Sequence, residues 1–575
     1  MRWTSTTTLL VALGLGLCTS RAMAQQGSDP QPFDDLRARI EQQDQQIQAL
    51  QAQMAGLQQG ASATTTPTAY APPGAAAPAS PAVSPSACPK PYEVGDDLSI
   101  KATMKDGLFL WLETPNKDFT MHLGAWMQMD DVFWGESAAL NHPAGSTRPG
   151  GPAGGPTPAG GPATGALTGG VGNLQDGTYF RRVRPFAEGT FWETGEYRLI
   201  LALENIQFDN TGFDEFWVGE KDLPVIGTVR VGHVKTPMGL EGDMTASSRC
   251  MTFMERSNYS EAIELNENFV TGIWASNNYL DQRVTWSGAA FYQDQGASSG
   301  DFFGSDQTGV QGRITALPIY KDEGRELLHF GLSGGWRNGT NNVNAGGANY
   351  TGNVIRLSAR PELRDDDAAG QGLPTNSDNS KMIDTGFLAS DQEYLMGLEA
   401  LYIRGPFSVQ AEYGWNWIDD VVGVVNVGSG AGPLTKFAAP QNYVFSGGYI
   451  QLAYTLTGEN RAYDRRIGTL AREYYGHAGP YEKAFLVRDE NGRLCWGLGS
   501  WELAARYSFA DLNDGTGIYR VAGGDMQGVT VGLNWYVNNN LNVMFDYVHD
   551  FRYDMNGGTP VGATDGFGTR VQFQF

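Results

Sequence analysis

The chain ends in a segment whose side chains alternate in polarity with a period of two residues. Between Phe567 and Phe575 the odd positions carry Phe, Thr, Val, Phe and Phe, and the even positions carry Gly, Arg, Gln and Gln. Successive side chains of a strand point to opposite faces, so this pattern predicts a strand with one apolar and one polar face. The same alternation recurs at 407–416, 501–509, 531–537 and 541–547.

Two-faced strands occur in soluble β-sandwiches and in membrane barrels, and the rest of the sequence favours a barrel. Many segments have the length of about ten residues, the aromatic ends and the alternately short and long connections of outer-membrane barrels. Glycine (75 residues), tyrosine (24) and tryptophan (14) are frequent. Beyond residue 24 no apolar run approaches the roughly 18–20 residues of a membrane-spanning helix. We predict an all-β fold, an antiparallel transmembrane β-barrel of about 16 to 18 strands over 95–575, in which 353–392 holds one strand or two.

The first 24 residues have the organisation of a secretory signal peptide. Arg2 precedes an apolar run over 9–17, and Ala22-Met23-Ala24 forms a small-x-small cleavage site. A membrane anchor is the alternative, but the apolar run is too short to span a bilayer. The whole chain has a formal net charge of −23. Such an acidic chain is not expected to bind nucleic acid, which requires a basic face.

Segments of simple composition lie between the signal peptide and the barrel. Apolar residues in 25–60 follow alternating four- and three-residue steps, which predicts a short coiled-coil helix that needs partner chains. These residues are Leu36, Ile40, Ile47, Leu50, Met54 and Leu57. A disordered, Gln-rich tail is the alternative. Residues 61–94, rich in Ala and Pro, are expected to form a stiff linker, and the Gly/Pro-rich tract 142–175 a long external loop.

Several blocks resemble the phosphate-selective porin O and P family, and they occur in the family's order. They are Phe180-Arg181-Arg182-Val183-Arg184, Val231 to Pro237, Ser247 to Arg249, Phe253 to Ser257, Gly448 to Gln451, Leu456 to Glu459, Trp501 to Ser508 and Gly532 to Tyr536. The resemblance implies a sixteen-stranded, trimeric channel in the outer membrane. It also implies that the loop over 235–268 folds inward and narrows the pore. The final Phe575 resembles the signal by which outer-membrane barrels are recognised for assembly.

Arginines are the candidate site residues, because a pore selects anions through positive charge in a narrow region where water screens it weakly. The planar guanidinium group suits phosphate through charge-assisted hydrogen bonds. Strand alternation puts Arg182 and Arg184 on the inner face and Arg181 on the outer face with Val183. We predict that Arg182 and Arg184 line the lumen, while Arg181, near the strand end, is a weaker candidate.

Other basic residues fall in or near the candidate constriction loop. They are Lys235, Arg249 and Arg256, with Arg506 on an inward face of a later strand. The alternative role for these charges is to pair with nearby acids such as Glu255 and hold the loop against the wall.

Nothing in the sequence indicates an enzyme, a cofactor or a metal site. Gly331–Gly335 matches the G-x-S-x-G motif, but it lies within an alternating strand, and the motif requires a strand-to-helix turn. The six histidines are scattered without metal-ligand spacing. After signal-peptide removal Cys88, Cys250 and Cys495 remain, and either a Cys250–Cys495 bridge or three free thiols is possible.

The sequence therefore favours passive diffusion of small anions, phosphate or polyphosphate among them, through a homotrimer embedded in outer-membrane lipid. A general porin for other small polar solutes is one alternative. A structural barrel that tethers the envelope through a periplasmic coiled coil is another. The acidic net charge argues against strong phosphate selectivity unless acidic loops, such as the one after Arg364, face solvent.

Overall fold

The computed structural model describes residues 93–575 apart from 106–107, 139, 141–173, 175, 204–211, 245–249, 265–268, 294–306, 342–351, 365–380, 426–433, 471–481, 489–491 and 554–559. The signal peptide, the coiled coil, most of the linker and nearly all of the Gly/Pro-rich tract lie outside the described residues. Their assignments stay predictions.

The described residues form a closed antiparallel barrel of 16 strands. In chain order the strands are β1 Thr120–Glu136, β2 Gly177–Phe191, β3 Gly195–Ala202, β4 Gly212–Leu223, β5 Gly227–Lys235, β6 Phe269–Tyr279, β7 Val284–Gln293, β8 Gln307–Lys321, β9 Glu326–Arg337, β10 Gln392–Arg404, β11 Phe407–Val425, β12 Leu434–Thr455, β13 Ser500–Asp514, β14 Val521–Tyr536, β15 Leu541–Tyr553 and β16 Pro560–Gln574. Each strand pairs with its neighbours in sequence, and the barrel closes where β16 pairs with β1, from Gln574 opposite Trp126 to Thr564 opposite Glu136. The prediction of an all-β barrel of about 16 strands is confirmed.

The wall has an apolar outer face and a polar inner face. Outward side chains of β16, such as those of Phe567 (44% exposed) and Val571 (39% exposed), are apolar and exposed. Between them Arg570 (0%) and Gln572 (1%) point inward and are buried. This division between apolar outer and polar inner residues is the one that a barrel in a membrane requires.

The two ends of the barrel differ in their connections. At one end, called the short-turn end, strands are joined by turns such as Gly405-Pro406, where Gly405 has a φ of +56°. At the other end the connections are longer. The connection between β12 and β13, residues 456–499, is long although it lies at the short-turn end. In outer-membrane barrels the short turns face the periplasm.

Three connections fold into the barrel. The inward loop, described at 236–244 and 250–264, contains two π-helical turns, Gly239–Met244 and Ser260–Glu264. The second inner segment, described at 352–364 and 381–390, contains the short strands Asn353–Ile355, Ser358–Ala359, Ile383–Asp384 and Phe387–Ala389. The short-turn segment, 456–470, pairs Tyr463–Asp464 with Thr469–Leu470. Within the described part of 353–392, none of these short strands spans the wall before β10, although Phe387–Ala389 pairs with the end of β11.

Smaller elements complete the described structure. The strands Lys101–Lys105 and Phe109–Glu113 form a hairpin that continues onto β1, where Glu113 pairs with Thr120. A second hairpin joins Phe485–Arg488 and Leu494–Gly497. Thr340–Asn341 pairs with Asn353–Ile355, and single 3-10 turns lie at Asp322–Gly324 and Gly517–Tyr519.

Two further findings concern sequence expectations. Cys250 is buried and Cys495 is exposed, and neither is in a disulfide, so the possible bridge between them is not formed. Within the described parts of the chain, none of the helices is long and apolar enough to span a bilayer.

Candidate ion pathway

The inward loop packs against the wall at positions where the strands carry glycine. A side-chain carbon at Gly414 of β11 would lie 2.6 Å from the hydroxyl oxygen of Tyr259. A side-chain carbon at Gly532 of β14 would lie 3.1 Å from the ring of Phe253. Because glycine has no Cβ, it lets the loop approach the wall more closely than any other residue would.

Ion pairs that are closed to solvent hold the inner segments in place. Arg506 of β13, whose side chain is 1% exposed, lies 2.6 Å from Glu362 and 2.7 Å from Glu241, and so joins the wall to two inner segments. Further closed pairs are Arg570–Asp130, Arg313–Glu399, Arg337–Glu393 and Arg461–Glu502. The pair Arg461–Glu502 joins the short-turn segment to β13, whereas the other three pairs join wall strands to one another. Since all these arginines are buried with their partners, they fix the geometry of the barrel interior.

A second set of arginines is partly exposed to solvent inside the barrel. Their side chains are between 12% and 21% exposed. This arginine track comprises Arg181 and Arg184 on β2, Arg198 on β3, Arg230 on β5, and Arg360 and Arg364 on the second inner segment. Each has a carboxylate within ion-pair distance, as in Arg184–Asp214 at 2.5 Å.

Tryptophan rings support part of the arginine track. The Arg230 guanidinium lies 4.1 Å from the ring centre of Trp217 and 4.8 Å from that of Trp274. The Arg198 guanidinium lies 5.7 Å from Trp217. Such stacking fixes the guanidinium plane and leaves its N–H edge for acceptors. Beside these residues, toward the short-turn end, lies a cavity of about 360 Å³ lined also by Lys221, Arg466, Glu196, Asp222 and Asp464.

The register of β2 changes at Arg181. Gln128 of β1 pairs with Arg182, yet the next residue, Met129, pairs with Phe180, so that Arg181 is an extra residue in a β-bulge. Strict alternation puts Arg181 on the outer face, and the bulge turns it inward instead. This irregularity is the physical reason why the sequence pattern gave the wrong face for Arg181.

The bulge brings Arg181, Arg182 and Arg184 to the inner side of one strand. Arg181 donates to both carboxylate oxygens of Glu255, at 2.8 and 3.1 Å. Arg182 is 4% exposed and donates to the neutral amide oxygen of Gln128 at 2.8 Å.

Glu255, on the inward loop, is the centre of this charge cluster. Besides Arg181 it contacts Arg570 at 3.0 Å and Arg364 at 3.7 Å. Burial alone would raise the pKa of Glu255, but Arg181, Arg182 and Arg570 hold that pKa well below its usual range. The Glu255 cluster is defined as Glu255 with Arg181, Arg182, Arg364 and Arg570, together with Asp130 beside Arg570 and Glu261, which lies 3.1 Å from Arg364. It thus contains more guanidinium groups than carboxylates.

The remaining predicted residues have different surroundings. Lys235 is the last residue of β5 and is 8% exposed. Arg249 lies outside the described residues. Arg256 is half-buried and donates to the backbone carbonyl oxygen of Glu241 at 3.0 Å. Arg506 faces inward but is closed to solvent in the ion pairs described above.

Sequence reasoning missed four members of the arginine track, namely Arg198, Arg230, Arg360 and Arg364. The alternating pattern does indicate that Arg230 faces inward. Arg230 lies on the same strand face as Gly232, and Val231 between them faces outward (52% exposed). No period-two signal marks Arg360 and Arg364, because they lie on an inner segment and not on a wall strand.

Comparisons with known proteins point in one direction. The family model described as phosphate-selective porin O and P matches residues 166–575. The chain is 26% identical to Porin O of Pseudomonas aeruginosa over 422 residues, which cover 70% of this chain and 83% of that protein. It is 27% identical to an uncharacterized protein of Caulobacter vibrioides over 319 residues, covering 54% and 51% of the two chains.

The barrel aligns with solved structures of outer-membrane proteins. OmpT of Vibrio cholerae with loop L8 deleted aligns with a TM-score of 0.41 at 9% identity, covering 80% of this chain and 100% of that one. The channel DcaP of Acinetobacter baumannii aligns with a TM-score of 0.38 at 9% identity, covering 80% and 97%.

Proposed function

The chain belongs to the phosphate-selective porin O and P family of outer-membrane porins, and from this premise we propose that its barrel lets small anions diffuse passively across the outer membrane. Phosphate and polyphosphate are the anions that we expect to pass most readily. Diffusion through such a channel needs no acid–base group, nucleophile or cofactor.

The Glu255 cluster is the observation that supports this proposal. It has four arginines and three carboxylates, and one of its arginines, Arg182, donates to a neutral amide. Charge in a confined space is screened less than in bulk water, so a small excess of positive charge there attracts anions. The net charge of −23 belongs to the whole chain and does not determine this local field.

The proposed mechanism also requires that a bound anion be released, and the carboxylate partners of the arginine track favour this release. A conducting site must bind an ion strongly enough to admit it and weakly enough to let it leave. Glu196 beside Arg230 and Asp214 beside Arg184 compete with an entering phosphate for the same N–H groups. We propose that anions exchange along the track from one arginine to the next without a tightly bound state.

Single-channel recording in planar bilayers tests the proposal. Under a KCl gradient across the membrane, the sign of the reversal potential should show that chloride permeates more readily than potassium. A reversal potential of the opposite sign would refute the proposal. The variant Arg182→Gln should reduce the anion preference because it removes a buried positive charge. The matched control is Arg404→Gln, which makes the same change at the exposed end of β10 and should leave the reversal potential unaltered.

A general porin for other small polar solutes is the second candidate. It is favoured by the pairing of every residue of the arginine track with a carboxylate. A reversal potential near zero, together with uptake of neutral sugars at a rate set only by their size, would support this candidate over anion transport.

Two assembly proposals accompany the channel. We expect a homotrimer, which chemical cross-linking of the purified protein tests directly. The predicted coiled coil at 25–60 would lie in the periplasm and tether the envelope. Deletion of 25–90 should then weaken the envelope while leaving single-channel conductance intact.

A further inference from the structure

A hairpin at the short-turn end exposes an apolar surface that the ion pathway does not use. Its strands, Phe485–Arg488 and Leu494–Gly497, pair in antiparallel fashion. Leu494 (60% exposed), Trp496 (68%) and Leu498 (65%) are open, and Phe485 is 46% exposed. A contiguous set of large, exposed apolar side chains generally marks a surface that contacts protein or membrane.

The hairpin rests on the outer face of the wall and not in the lumen. Trp501 of β13 and Trp535 of β14 are cross-strand partners whose stacked rings lie 5.1 Å apart. Both indole N–H groups donate to the carbonyl oxygen of Leu498, at 3.1 and 2.8 Å. The ring of Phe485 packs edge-on against Trp535 with 5.5 Å between the ring centres. The hairpin is therefore fixed to two outward tryptophans.

These tryptophans fix the height of the hairpin relative to the membrane. They lie at the short-turn ends of their strands, and tryptophans at strand ends form the aromatic girdle at the membrane–water interface. The next outward positions toward the middle of the wall, Leu503 (49% exposed) and Leu533, continue the lipid-facing surface. The apolar side chains of the hairpin thus extend the lipid-facing wall at the level of the headgroups.

We propose that the hairpin, described at 482–488 and 492–498, is an interfacial anchor whose apolar side chains enter the lipid leaflet at the short-turn end. The occupant of this surface is phospholipid, because the surface is continuous with the lipid-facing wall. The basic residues Lys483, Arg488 and Arg493 are matched by the acids Glu482, Asp489 and Glu490, so the segment has no net charge. Insertion therefore depends on apolar contact and does not require anionic lipid.

Site-directed spin labelling of the full, folded channel in phosphatidylcholine vesicles tests the anchor. Cys88, Cys250 and Cys495 are replaced by serine, and a nitroxide is attached at Leu494→Cys. Collision rates with oxygen, which concentrates in lipid, are compared with those of a water-soluble nickel chelate. Labels at Leu503→Cys and Asp281→Cys provide a lipid-facing wall control and an exposed control in the turn between β6 and β7. Single-channel conductance verifies that each labelled variant is folded.

The anchor predicts an oxygen-to-nickel ratio at Leu494→Cys that is several-fold above that at Asp281→Cys and close to that at Leu503→Cys. A ratio equal to that of Asp281→Cys overturns the anchor. Spectral broadening that disappears when labelled chains are diluted with unlabelled chains also overturns it, because the surface then contacts a second copy. The inference assumes, with the proposed function, that the wall lies in a bilayer. A water-like ratio at Leu503→Cys would refute that shared assumption separately.

Discussion

Replacement of Glu255 by glutamine tests how the channel balances its interior charge. The substitution keeps the size of the side chain but removes the carboxylate that contacts Arg181, Arg364 and Arg570. Removing one member of a buried ion pair typically costs about 3–5 kcal/mol of stability. Arg181 is 21% exposed and can be hydrated, and Arg570 retains Asp130, so we expect the lower limit, about 3 kcal/mol.

The same substitution should make the channel more selective for anions. A unit charge at about 4 Å changes the energy of an ion by about 1 kcal/mol even in bulk water, and by more in a confined space, which corresponds to at least about fivefold in affinity. We therefore expect Glu255→Gln to lower the phosphate concentration that half-saturates conductance by about that factor.

Two measurements on Glu255→Gln test these expectations. Single-channel conductance across a phosphate series gives the half-saturating concentration, and urea titration in lipid vesicles gives the free energy of unfolding. Glu323→Gln, in the exposed turn between β8 and β9, is the matched control and should match the wild type in both. Unchanged phosphate affinity in a folded Glu255→Gln channel would refute the view that the Glu255 cluster controls anion entry.

Three further predictions follow from contacts in the interior. Gly414→Ala should lower the free energy of unfolding by about 1–3 kcal/mol and widen the range of conductance states, because its Cβ would meet the Tyr259 hydroxyl. The control Gly288→Ala, whose Cβ would make only ordinary contact, should have little effect. Calorimetry and single-channel recordings measure the two effects. Arg230→Lys keeps the charge but loses the stacked plane, so phosphate conductance should fall relative to chloride conductance in bi-ionic recordings. Burial would raise the pKa of Glu261, but Arg364 and Arg360 lower this pKa overall. The Glu261 carboxylate therefore stabilises the fold above its unfolded pKa of about 4.3, and this contribution is lost as the pH falls through the lower folded pKa. The loss of thermal stability caused by Glu261→Gln, relative to the wild type at the same pH, should thus be constant from about pH 8 to 5 and shrink below about pH 4; a difference that already shrinks at about pH 6 would contradict this assignment.

The barrel was predictable because its strongest signal is local. Whether Phe567 or Arg570 faces outward is decided by the polarity of their immediate neighbours, and the structure agrees with the pattern. The turn at Gly405-Pro406 fits its residues in the same way, since Gly405 adopts a positive φ and proline cannot donate to the ladder. Local periodicity therefore predicted the strand faces.

The interior was less predictable because it depends on residues that are distant in sequence. The bulge at Arg181 is a property of the register between two strands, and a single strand does not reveal its register. Arg360 and Arg364 reach Glu261 across about a hundred residues of sequence, and no alternation marks them. The absence of a disulfide between Cys250 and Cys495 likewise follows from packing, which cysteine spacing does not determine.

Arg570 has a consequence for the order of assembly. It lies on β16, it contacts Asp130 on β1, and it also contacts Glu255 on the inward loop. Glu255 also contacts Arg181 of β2 and Arg364, which do not depend on closure, whereas the contact from Arg570 forms only when the two edge strands meet. Closure of the barrel therefore adds the last of these contacts to the loop, and an intermediate with unpaired edge strands would hold Glu255 without it.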